Sequence, residues 1–85
     1  MAFASIDHES DIPVWIQLYN ILLAGIHDGT WAPHTRLPSA RTIQEESGLA
    51  RETTKKAFNR LRDEGLVKMV PGRGPFVVGP GSRAR

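Results

Sequence analysis

Two stretches that read as helices are separated only by Ser47-Gly48-Leu49. A connection this short makes the two helices neighbours in space, so the pair reads as a helix-turn-helix. The first starts at the capping residue Ser39, runs to about Ser47, buries Ile43 and is stopped by Gly48. The second runs from about Ala50 to Glu64 and is closed by Gly65.

The flanking segments narrow the fold further. Upstream, Leu18, Leu22 and Ile26 recur every fourth residue and are joined by Val14 and Trp15, which predicts a helix from Pro13 to about Asp28. Asp11 or Ser10 is expected to cap it, Pro13 to occupy its first turn and Gly29 to end it. The linker TWAPHTRLPS holds two prolines and is extended, with Thr35-Arg36-Leu37 as a candidate short strand. Downstream, GLVKMVPGRGPFVVGPG places two β-rich runs, Leu66 to Val70 and Phe76 to Val78, on either side of a PGRGP turn, the signature of a hairpin. Helix, short strand, helix, turn, helix, hairpin is the order of a winged helix-turn-helix: mainly α, with three helices and a small antiparallel β-hairpin wing. Residues 1–12 read as an N-terminal arm, 13–78 as the domain and 79–85 as a flexible C-terminal tail.

Much chemistry is excluded at the same stage. A chain of 85 residues builds one domain with one modest core, and without cysteine it has no disulfide, thiolate metal site or thiol redox centre. The acidic start MAFASIDHES lacks the basic and apolar regions of a secretory signal, and ILLAGI is far too short to cross a bilayer. A cytoplasmic protein with no membrane association is the expectation. His8, His27 and His34 neighbour no plausible nucleophile and form no spaced ligand set; Asp7-His8-Glu9 lacks a frame to hold a metal, and His27 suits a helix C-terminus. No enzyme activity, cofactor or metal is expected.

The charge pattern points to a polyanion. Net charge is only +2, yet residues 1–35 contain four acids and no Lys or Arg, while residues 36–85 carry all 11 basic residues. At 100° per residue, Thr54, Ala57, Phe58 and Leu61 share one arc of the third helix, and Glu52, Lys55, Lys56 and Asn59 share the opposite one. The first arc packs inward; the second is free to read a ligand. Arg51 in the first turn offers a guanidinium suited to phosphate or to guanine O6 and N7, and Thr53 offers a hydroxyl near a helix N-terminus that itself favours an anion. A solvated, salt-bridged helix face is the plainer alternative.

The run RLPSARTIQEESGLARETTKKAFNRLRDEGLVKMVPGRGPFV, preceded by PVWIQLYNILLAGIHDGTWAP, resembles the DNA-binding domain of the GntR family of bacterial transcription regulators over residues 13–78. Its most specific parts are LPS at 37–39, DEGLV at 63–67 and PGRG at 71–74. The resemblance implies a sequence-specific DNA-binding regulator, a repressor, with the third helix in the major groove. It places DNA contacts at Arg41, Arg51, Glu52, Thr53 and Lys55, and Arg36, Ser39, Lys56, Asn59, Gly72, Arg73 and Gly74 complete the candidate DNA-binding set. Four positions depart from the family pattern: Glu52 stands where threonine is usual, Lys55 where arginine is usual, Ala40 follows LPS in place of glutamate, and Ala50 replaces the hydroxyl cap of the recognition helix. A carboxylate at 52 repels phosphate but accepts from cytosine N4, or else pairs with Lys55 or Lys56; lysine at 55 keeps charge and loses the bidentate fork. The same fold with a different operator is implied.

In that setting PGRG is the wing tip, with Arg73 aimed at a sugar-phosphate backbone or into the minor groove, and Phe76 and Val67 anchoring the wing's base. GRGPFVVG lacks G-x-G-x-x-G spacing and no helix follows it, so it is no phosphate cradle. A structural hairpin with an idle arginine stays open. So does a winged-helix module that binds another protein, distinguished by flat salt dependence. Ile16, Tyr19 and Leu23 form a second apolar stripe on the first helix, which suggests a homodimer on a palindromic operator; the alternative is that the N-terminal residues or the tail GPGSRAR fold over it. Regulators of this kind usually append an effector-binding domain, and the sequence holds none, so the chain is expected to be either a minimal regulator or an excised DNA-binding domain.

Overall fold

The computed structural model describes residues 6–78. Helix α1 spans Val14–His27, α2 Ala40–Ser47 and α3 Arg51–Asp63; strands β1, Val67–Val70, and β2, Gly74–Val77, follow. The architecture is a winged helix-turn-helix: three helices around one core, with a two-stranded antiparallel hairpin beside α3.

The core is built from every helix and both strands. Leu18 and Leu22 of α1, Ile43 of α2, and Ala57, Phe58 and Leu61 of α3 meet Val67 of β1 and Val77 of β2, all at 3% exposure or less. The inward arc predicted for α3 is the buried one, including Thr54, whose hydroxyl donates to the Ala50 carbonyl at 3.2 Å and so enters the core satisfied. Val14, Trp15 and Ile26, expected in the core of α1, are only half-buried.

The turn that defines the fold is held from both ends. The Ser39 hydroxyl accepts from the Thr42 amide at 3.2 Å, capping α2 as expected. At the other end Gly48 takes φ 75°, a left-handed conformation that costs an L side chain strain, and its amide closes α2 on the Gln44 carbonyl at 2.8 Å. The Ser47 hydroxyl donates to the Ile43 carbonyl and accepts from the Leu49 amide, and Leu49 drops its side chain into the core.

Three expectations need correction. Neither Ser10 nor Asp11 caps α1: Pro13 holds the cap position without a side-chain bond, and its carbonyl accepts from the Ile16 and Gln17 amides. Ser10 is spent locally, accepting from the Ile12 amide at 3.1 Å. The anchor of the wing is Val77 with Pro75 rather than Phe76, which is half-buried; Val67 pairs with Val77, and the period of two puts Phe76 on the other face. Thr35-Arg36-Leu37 forms a single bridge, Arg36 to Phe76, rather than a full strand, although the His34 and Leu37 amides also donate to the Val77 and Pro75 carbonyls.

The described part of the N-terminal arm is docked. Ile6 is 7% exposed within the core cluster, the side chain of Gln17 bonds both the amide and the carbonyl of Asp7, and His8 Nε2 lies 3.1 Å from the Ser47 carbonyl. Gln17 lies two residues, hence about 160° around the helix, from Tyr19, so its clasp on the arm is on the other flank of α1 from the stripe Ile16, Tyr19 and Leu23. Residues 79–85, expected to be a tail, lie outside the described residues.

Candidate nucleic-acid interface

The outward face of α3 is flanked on one edge by α2 and β1, which share a groove with it, and on the other by α1, where Lys56 meets Trp15. Arg51, Glu52, Lys55 and Lys56 are exposed along it; Thr53 and Asn59 are half-buried. Arg51, Glu52 and Lys55 make no ion pair or side-chain hydrogen bond among the described residues. Glu52 is therefore not the partner of Lys55 or Lys56, and its carboxylate stands open beside them.

Between α2, α3 and β1 lies a groove of about 350 Å³, lined by Ala40, Gln44, Arg51, Lys55, Phe58, Asn59, Arg62 and Met69. Gln44, Arg62 and Met69 are additions to the residues expected from sequence. Arg62 was within reach of the same periodicity, since it follows Lys55 by seven residues and shares its face. Nothing in a linear pattern brings Gln44 or Met69 to α3.

The N-terminus of α3 is open. Ala50 takes the cap position in an extended conformation with no side-chain bond, so the first-turn amides of the helix have no capping oxygen. They present partial positive charge beside Arg51, an arrangement suited to an anion. Ser39 is committed differently: its hydroxyl caps α2 and lies 3.1 Å from that of Thr42. Arg41 pairs with Glu45 at 3.2 Å, but both side chains are well exposed, so this pair opens to a phosphate at little cost.

The wing tip presents Arg73. The Arg73 amide bonds the Val70 carbonyl at 2.9 Å across Pro71-Gly72, with Gly72 at φ 77°: proline then positive-φ glycine, the residues a type II turn demands. Gly74 at φ 98° starts the return strand and leaves the Arg73 side chain exposed. Arg36 is also exposed, with its backbone paired to Phe76.

Lys56 has a different neighbour from the one expected. Its Nζ sits 4.8 Å from the Trp15 ring centre, so this charge bridges α3 to α1. One turn on, Arg60 Nε donates to Glu64 at 2.8 Å, and the Tyr19 hydroxyl donates to the same carboxylate at 2.6 Å. Bonds from Tyr19 and Arg60 hold the Glu64 carboxyl below the usual range, and the bond to Glu64 raises the Tyr19 phenol. Tyr19 and Leu23 also pack partly on the core, so two residues of the predicted dimer stripe have partners within the chain, while Ile16 remains at the edge of a shallow hollow with Trp15 and Asn20.

This sequence and architecture have counterparts among known proteins. The histidine utilization repressor of Klebsiella aerogenes is 33% identical over 78 residues, 92% of this chain and 32% of its own length. The HTH-type transcriptional repressor NagR of Bacillus subtilis (strain 168) is 37% identical over 76 residues, covering 89% of this chain and 31% of NagR. The chain thus spans about a third of the curated relatives it matches. Among solved structures, YtrA from Sulfolobus acidocaldarius, a GntR-family transcription factor, superposes with TM-score 0.79 at 32% identity, over 91% of this chain and 81% of that one. The AraR DNA-binding domain in complex with operator ORE1 gives TM-score 0.77 at 27% identity, over 88% and 92%. The model of bacterial regulatory proteins of the gntR family matches residues 16–77, and this chain belongs to that family.

Proposed function

We propose that the chain is the DNA-binding domain of a transcriptional repressor that acts in the cytoplasm, by binding rather than by catalysis. Helix α3 enters the major groove with Arg51 and Lys55 leading, and Arg73 at the wing tip meets the backbone or the minor groove. The observation that carries this is the open groove beside α3, where Arg51 and Lys55, without ion-pair partners among the described residues, stand next to an uncapped helix N-terminus. The operator complexes of the similar AraR domain support it. Arg36, Arg41, Thr53 and Lys56 line the phosphate path in this reading, Glu52 tunes base preference, Asn59 lies farther along the reading face, and Gly72 and Gly74 shape the wing. Two copies on a palindromic operator complete the arrangement, meeting through Ile16, Tyr19 and Leu23.

Selection of bound duplexes from random sequence, followed by affinity measurement across salt concentrations, tests it. With Arg36, Arg41, Lys56 and Arg73 on phosphates, the logarithm of the affinity should fall with the logarithm of salt with a slope of roughly −4 per protomer. A protein-binding module would enrich no sequence and show a flat salt response.

A further inference from the structure

Met69 is one of two large hydrophobic residues that stand about half exposed among the described residues, at 49%. It lies on β1 opposite Pro75, which is buried, and the pairing turns both toward the face of the hairpin that carries Val67 and Val77, although Met69 itself stays outside the core. Its side chain instead floors the groove beside α3, together with Phe58 and Ala40. An apolar floor inside a cationic rim is unusual for a surface that only tracks phosphates, because phosphate contacts are polar throughout. On the major-groove edge of a duplex the C5 methyl of thymine is the apolar group on offer. Two amides, Gln44 and Asn59, line the same groove, and an amide is the side chain that pairs bidentately with adenine, thymine's partner.

We infer that this groove is a subsite for an A·T base pair, in which Met69 packs against the thymine methyl. The inference rests on the DNA-binding reading of α3 and adds a base preference made by the strand that leads into the wing tip. Methionine suits such a contact, because its unbranched, polarizable thioether adapts to a methyl presented at a variable angle.

The test uses the selected duplex, resynthesised with each dT replaced in turn by dU, which deletes the C5 methyl and nothing else. At one position per half-site the wild-type domain should bind the dU duplex about three- to fivefold more weakly, the loss one buried methyl group supplies. Met69→Ala should bind the dT and dU duplexes equally, Met69→Leu should keep most of the discrimination, and both variants should melt like the wild type because the residue lies outside the core. A wild type indifferent to dU everywhere overturns the inference, as does a Met69→Ala domain that weakens both duplexes while keeping their ratio, the mark of a sugar-phosphate contact. Salt-dependent binding persists in either case. A wild type that binds no duplex at all overturns the DNA-binding reading and this subsite with it.

Discussion

The side chains of α3 divide their duties by angle. Phe58, at 3% exposure, belongs to folding; Arg51, exposed and without an ion-pair partner among the described residues, is the side chain the proposed reading gives to recognition. Arg51→Ala should therefore cost about 1–3 kcal/mol of operator binding with no change in the unfolding transition, whereas Phe58→Ala should destabilise the domain by roughly 3–5 kcal/mol. Parallel titrations and urea melts check the pair, and a folding loss in Arg51→Ala would place that residue in the wrong role. The division was legible in the sequence because four buried residues, Thr54, Ala57, Phe58 and Leu61, keep helical spacing. Lys56 was not: its wheel position allows solvent, and only the packing of α1 brings Trp15 under its ammonium. Phe76 misled for a simpler reason. A large aromatic next to a turn suggests an anchor, but the pairing of Val67 with Val77 fixes which face is buried, and Phe76 sits one residue off it.

Element boundaries followed from local signals wherever those signals were local in fact. Ser39 and Gly48 bracket α2 because capping and positive φ involve residues only a few positions apart. The start of α1 was less legible, since Pro13 takes the cap position with no side-chain bond and the side chain of Gln17 instead clasps the backbone of Asp7, ten residues away. Helix α3 also lacks a side-chain cap: Ala50 leaves its first turn unserved. Ala50→Ser should raise stability by about 1 kcal/mol, read as a higher urea midpoint at unchanged slope. The same change would remove positive potential beside Arg51, so a gain in stability is expected to accompany slightly weaker DNA binding. The seam between α1 and α3 should respond to acid. The Glu64 carboxyl is held low by Tyr19 and Arg60 in the fold, so its contribution is present above the ordinary carboxylate range and is lost as pH falls through its lowered value. Melting temperature measured from roughly pH 6 to pH 3 should fall less steeply in Glu64→Gln than in the wild type.

At the level of the whole molecule, acidic and basic segments that are separate in sequence stay separate in role. Among the described residues, those before Arg36, with no lysine or arginine, build the arm and α1; the basic remainder builds α2, α3 and the wing. The charge-poor helix is thus available for a second copy. Leu23→Glu should abolish two-to-one stoichiometry on a palindromic duplex while leaving single-site binding in place, as read by sedimentation of the complex; a wild type that stays at one protein per duplex at saturation would remove the dimer. The stripe was legible as apolar, yet the sequence did not reveal that Tyr19 and Leu23 are partly used inside the chain, because Glu64 lies 45 residues from Tyr19. Arm docking was open for the same reason: nothing before folding marks Ile6 as a core residue.

Lys56 over Trp15 also gives the domain an optical reporter. The other tryptophan, Trp31, lies against Gly25 near the far end of α1, where a Cβ on that glycine would collide with the indole. One indole therefore carries a cation from α3, and the second packs against Gly25 near the C-terminal end of α1. If a duplex draws the Lys56 ammonium onto a phosphate, the field across Trp15 changes and its emission should shift as complex forms, without any attached dye. Lys56→Met should abolish most of that shift. Trp31→Phe should leave it intact, so titration and unfolding can be followed from different residues in one cuvette.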